Sequence, residues 1–142
     1  MPLDLDRYKG LAGFRLALRR FLAASEAICR KAGVTAQQYQ ALLAIKTKSN
    51  ETMPMKELAE QLVITHHAAV QLVDRLAKAG LAERQASAGD RRAVVLALTR
   101  RGARLLDELA SRHLDEMLRQ EPLLTQSLRR LRRLKPKSYP RG

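Results

Sequence analysis

A chain of 142 residues is long enough for one compact domain with its own core, or for a small domain flanked by helices that a partner must cover. Lys and Arg number 27 against 14 Asp and Glu, and the formal net charge of +13 selects a polyanionic partner, nucleic acid ahead of an anionic membrane surface. The opening MPLDLDRYKG lacks the basic start and apolar run of a signal peptide, and no window reaches the roughly 18 apolar residues of a membrane span. A cytoplasmic protein with no membrane partner is expected. The single cysteine, Cys29, excludes an internal disulfide and a cysteine-rich zinc site, leaving a buried core thiol, the expected reading, or a redox-sensitive one.

Leu11, Phe14, Leu18, Phe21, Ser25 and Ile28 recur at steps of three and four, which predicts one stripe of a long helix ending near Gly33. Thr35 and Gln38 have capping-box spacing and open a second helix through Leu42, Leu43 and Ile45, expected to stop around Ser49-Asn50. Pro54 then precedes MKELAEQLVI, a short helix with Leu58, Ala59 and Leu62 on one side. A turn near Val63-Ile64 leads to Thr65, an N-cap for HHAAVQLVDRLAKAG, which Gly80 closes. Two short helices joined by a tight turn outline a helix-turn-helix. After Gly80 the period changes: LAERQA and AVVLAL are strand-like on either side of SAGDRR, which predicts a two-stranded ribbon with that segment at its tip, a wing. Thr99 caps a further long helix with a stripe of Leu106, Leu109, Ala110, Leu114 and Met117, expected to break at Glu121-Pro122. Leu124, Leu128 and Leu131 mark a last amphipathic helix surrounded by Arg129, Arg130, Arg132 and Arg133, with a fraying tail from Pro136.

The expected fold is therefore mainly α with a small β-hairpin wing, a winged helix-turn-helix. Its parts are an N-terminal dimerisation helix over 1–33, a DNA-binding domain over 34–99, and C-terminal dimerisation helices with a basic tail over 100–142. The terminal helices carry apolar stripes with little core of their own to cover, so a two-fold homodimer is expected.

In the second helix of the helix-turn-helix, Ala69, Leu72, Val73 and Leu76 share the inward face. His66, His67, Val70, Gln71, Asp74 and Arg75 are then turned partly or wholly outward. The N-terminal part of that face suits the major groove. Gln71 can contact adenine through two hydrogen bonds, His67 can donate to a base or a phosphate, and Val70 is either a thymine-methyl contact or ordinary core. His66 and His67 form no obvious metal site, because adjacent helical residues point about 100° apart and no third ligand is evident. Further basic residues gather at Lys78, Arg84, Arg100, Arg101 and Arg104. His113, beside an apolar stripe, reads as a packed or hydrogen-bonded core residue. The C-terminal arginines read as solvated groups on a helix that seals a dimer. No Gly-rich phosphate loop and no Cys-His or Ser-His pairing with supporting spacing is present, so no enzyme and no cofactor are expected.

ELAEQL, LVDRLAKAGLAER, DRR and VLALTRRG occur in that order, with spacings that resemble the multiple-antibiotic-resistance (MarR) regulator family over roughly Thr35 to Leu114. The resemblance implies a dimeric winged helix-turn-helix regulator on a pseudo-palindromic operator in double-stranded DNA, usually a repressor, often released by a small phenolic ligand or an oxidant. The family pattern of Asp, any residue, Arg falls on Asp90 and Arg92. It assigns Arg92, beside Arg91, to the minor groove, and Asp90 to orienting an arginine, for which Arg75 is a candidate. Thr65 and Arg84 complete the expected DNA surface. A pocket for a small aromatic effector, where present, is expected around Phe14, Leu18, Tyr39 and Leu43, residues that core packing equally explains. Two positions depart from the family: Val63 stands in a turn that often holds Gly, and Cys29 lies near the end of the first helix, where the peroxide-sensing branch has its cysteine near the start. The competing reading is a nonspecific or architectural DNA binder built on the same winged domain.

Overall fold

The computed structural model describes residues 2–87, 89 and 93–134. Its elements run α1 (Leu5–Lys31), α2 (Ala36–Lys46), β1 (Thr52–Pro54), α3 (Met55–Leu62), α4 (His66–Lys78), β2 (Ala82–Ala86), β3 (Val94–Leu98) and α5 (Arg100–Leu134). The chain divides into two compact units, Ile28–Arg112 and the pair of segments Met1–Ala27 with His113–Gly142.

The unit Ile28–Arg112 owes its boundaries to local chemistry. Thr35 and Gln38 form the expected capping box at the start of α2, with the Thr35 hydroxyl accepting from the Gln38 N–H and the Gln38 side chain accepting from the Thr35 N–H. The helix stops at Lys46, three residues before the expected Ser49-Asn50, and the hydroxyl of the capping residue Thr47 donates back to the Ala44 carbonyl. The short segment that follows is a strand. β1 pairs antiparallel with β3, Met53 opposite Leu96, so the sheet has three strands in the order β1-β3-β2 instead of the expected two. Pro54 is compatible because it sits at the end of an edge strand, where no ladder N–H is needed. Met53 fills the core beside Leu42, Ile45, Leu58, Leu72, Leu76 and Leu96, all fully buried or nearly so. Cys29 is also fully buried in this cluster, as expected of a core thiol. Burial pushes the phenol of neighbouring Tyr39 up, and the nearness of Cys29 adds to the shift.

Thr99 ties α5 to the helix-turn-helix. Its hydroxyl accepts from the Gly102 N–H and donates to the Gly80 carbonyl at 2.6 Å. Gly102 is required by the same approach: a Cβ there would lie 1.9 Å from the Leu81 carbonyl oxygen, a backbone atom that cannot turn aside.

In the other unit, α1 and α5 meet at their far ends, where a Cβ on Gly10 would press on the tips of Leu131 and Leu134. The Ser25 hydroxyl and the His113 Nε2 are 2.8 Å apart, and His113 is buried, the hydrogen-bonded core role expected for it. The expected helix break at Glu121-Pro122 does not occur: α5 continues through Pro122 to Leu134, so the last amphipathic segment is no separate helix. Proline removes one N–H and crowds the preceding turn without forbidding helical φ. The flanking leucines, arginines and glutamines favour helix on both sides.

Candidate nucleic-acid interface

The helix-turn-helix consists of α3 and α4. The Thr65 hydroxyl caps α4 by accepting from the Ala68 N–H at 3.1 Å. Ala69, Leu72, Val73 and Leu76 are buried, which anchors one face of α4 in the core. His66, His67, Gln71, Asp74 and Arg75 are exposed along the other, together with Thr65 at its start. Val70 lies between the two faces and is half-buried, neither full core nor free surface. It floors a groove of about 400 Å³ with Pro54, Met55, Lys56, His66, Arg84, Ala93 and Val94 as the other walls.

Arg84 on β2 is not a free cation: its guanidinium pairs with the Asp74 carboxylate on α4 at 2.5 Å. Both side chains are partly solvated, so the pair contributes roughly 0–1 kcal/mol to stability. Its larger consequence is geometric, since it fixes a wing strand against the outer side of the helix-turn-helix. It also offsets the one carboxylate on the exposed face of α4. Strand register sets Arg84 opposite Leu96, and the Ser87 N–H donates to the Ala93 carbonyl at 3.1 Å where the strands approach the wing tip. Asp90, Arg91 and Arg92 lie outside the described residues, as does any pairing of Asp90 with Arg75.

One further basic residue adds to this surface, and two more stand at the start of α5. Lys56, absent from the residues singled out in the sequence, is exposed on the first turn of α3 at the groove rim; only its position beside Pro54 could have pointed to it. Arg100 and Arg101 open α5 with no acidic residue in its first turn, opposite to what the helix dipole favours. Cations at the positive end of a helix cost stability and are understandable where a polyanion approaches.

Of the four residues considered for an effector pocket, Phe14 is half-buried and Leu18 exposed in one unit. Tyr39 is buried in the other, where Leu43 is partly exposed beside a smaller groove of about 280 Å³. Among the described residues no group of three or more His, Cys, Asp or Glu is arranged to hold a metal ion, and no helix is long and apolar enough to cross a membrane.

A helix-turn-helix, a three-stranded sheet ending in a wing, and an exposed helix face bordered by cations define a winged helix-turn-helix protein. The family model described as "MarR family" matches residues 32–93. The fold is similar to that of AbsC, a MarR family transcriptional regulator from Streptomyces coelicolor, with 22% identity, a TM-score of 0.81, and coverage of 96% of this chain and 94% of that one. Sco3205, a MarR family transcriptional regulator from the same organism solved in complex with DNA, is 22% identical, with a TM-score of 0.77 and coverage of 100% and 96%. NadR, solved in complex with 4-hydroxyphenylacetate, is 27% identical, with a TM-score of 0.64 and coverage of 89% and 92%. No curated protein matches the chain. Residues 32–93 are thus similar to the MarR family, and the chain has the winged helix-turn-helix fold.

Proposed function

We propose that this protein is a cytoplasmic, homodimeric transcriptional repressor that reads a pseudo-palindromic operator, and that it is a regulator with no enzymatic activity. The observation that carries this reading is the split of α4 into a buried apolar face and an exposed face of Thr65, His66, His67, Gln71 and Arg75, with Arg84 and Lys56 beside it. A helix of about 10–12 Å diameter fits a major groove of about 12 Å. Gln71 contacts adenine, His67 and Thr65 contact a base or phosphate, and Val70 meets a thymine methyl. The wing follows into the minor groove, with Arg92 and Arg91 as its cations and Asp90 orienting an arginine. The similarity to Sco3205, solved with DNA, supports the binding mode. The similarity to NadR, solved with 4-hydroxyphenylacetate, supports release by a small aromatic effector.

Fluorescence anisotropy on duplex from the gene's own upstream region and on a scrambled duplex, across a salt series, tests this. A preference on the order of 10³-fold or more, saturating at one dimer per site, is the expected result for an autoregulating repressor. Equal and steeply salt-dependent binding to both would favour the architectural reading, which the net charge of +13 also suits.

A further inference from the structure

Three helices of this protein end in the same hydrogen-bonded closure. After α1, the Gly33 N–H donates to the Arg30 carbonyl and the Val34 N–H to the Cys29 carbonyl. After α4, the Gly80 N–H donates to the Ala77 carbonyl and the Leu81 N–H to the Leu76 carbonyl. After α3, the Val63 N–H donates to the Glu60 carbonyl and the Ile64 N–H to the Ala59 carbonyl. This pattern requires a left-handed residue at its centre, for which glycine is suited because it has no Cβ. Gly33 and Gly80 meet the requirement with φ of 80° and 71°. The third position holds Val63 at φ 55° and ψ 47°, a β-branched side chain in the region it tolerates least. Among the described residues nothing compensates: Val63 is 89% exposed, while Ile64 beside it packs on the core. The closure is satisfied by backbone alone, so the isopropyl group brings strain and no buried contact.

We infer that Val63 is a DNA-contact residue, its isopropyl group seated on the deoxyribose face of the backbone strand that borders the major groove; this rests on the DNA-binding reading proposed above. Val63 stands two residues before Thr65, the cap of α4, so its Cα is within about 7.6 Å of that of Thr65. A helix that fills the groove leaves the turn before its N-terminus against the groove wall, which is built of sugars and phosphates. An uncharged isopropyl group matches the sugar carbons and not the phosphate oxygens. The contact carries no base information and releases no counterion.

The test compares the wild-type chain with Val63→Gly and Val63→Thr by thermal melting and by anisotropy on upstream and scrambled duplexes across a salt series starting at low salt. Val63→Gly is expected to melt at or above the wild-type temperature and to bind both duplexes roughly fivefold more weakly, as loss of a partly buried valine contact implies. Its salt slope and its discrimination between duplexes should match the wild type. Val63→Thr, of the same shape, should keep wild-type affinity. Wild-type affinity in Val63→Gly overturns the inference while leaving the DNA-binding reading intact, and a loss confined to the upstream duplex overturns the sugar contact in favour of a base contact. A lower melting temperature for Val63→Gly shows that the isopropyl group serves the fold and overturns it as well. A wild-type chain that binds neither duplex at low salt overturns the DNA-binding reading and this inference together.

Discussion

Arg84 and Asp74 show how one ion pair can serve orientation more than stability. The pair is solvated on both sides, yet it joins β2 to α4 and offsets the one carboxylate on the exposed face of α4. Arg84→Ala should leave the melting temperature within a degree or two of wild type, weaken binding to all duplexes, and flatten the salt slope by about one unit as one cationic contact is lost. Asp74→Asn should tighten binding through the freed cation. An Asp74→Asn variant that binds more weakly would mean that the fixed position of Arg84 outweighs its charge. Gln71 makes a different demand: Gln71→Ala should lower discrimination between operator and scrambled duplex by about 1–3 kcal/mol and leave scrambled-duplex affinity unchanged, and equal losses on both would remove its base-reading role. Gly102 is the position least tolerant of change in the scaffold below this surface. Gly102→Ala must push α5 away from the Leu81 carbonyl and should cost about 1–3 kcal/mol or more in chemical denaturation.

At the scale of elements, the long amphipathic segments were legible and the short or strained ones were not. The stripe Ala69, Leu72, Val73 and Leu76 is buried as its 3.6-residue period requires, and the caps at Thr35, Thr65 and Thr99 all form, because a side-chain oxygen next to an unpaired helix N–H is a local relation. β1 could not be read from three residues that include a proline; its existence depends on β3, over forty positions away, presenting a ladder to Met53. Val63 was visible as a missing glycine, but only the backbone shows that the left-handed turn forms without one. Proline at 122 misled because a local rule for helix ends met a segment long enough to override it. Helix α5 therefore carries a removable penalty. Proline inside a helix costs roughly 3 kcal/mol relative to alanine, and Pro122 is exposed, so Pro122→Ala should raise the unfolding free energy by about 1–3 kcal/mol at fixed protein concentration. A fall in stability would show that the proline shapes α5 for a partner helix.

At the scale of the whole molecule, the exposed large apolar side chains are distributed unequally between the two units. In Ile28–Arg112 they are few, with Leu43, Val63 and Val94 the ones on the described surface. The other unit exposes Leu5, Tyr8, Leu11 and Leu22 on α1 and Leu114, Met117, Leu118 and Leu128 on α5. The stripe expected along α5 thus divides: Leu106 and Leu109 are buried in one unit, while Leu114 and Met117 face outward in the other. Exposed apolar side chains in this number on a chain of high charge are understandable when a second copy covers them, which is the dimer proposed here. Removing the end of α5 would be a poor test, because Leu131 and Leu134 also pack on Gly10 of the same chain. Leu118, 73% exposed, has no such role among the described residues, so Leu118→Glu should leave helix content unchanged and shift the sedimenting species from twice 16.0 kDa towards the single-chain mass. Two recognition helices held about one DNA turn apart bind as one ligand, and separating them forfeits the gain from the second half-site. Operator affinity should then fall on the order of 10²-fold while affinity for scrambled duplex falls much less. A Leu118→Glu variant that remains dimeric would place the interface elsewhere on these helices, and a monomer that kept full operator affinity would refute reading by paired half-sites.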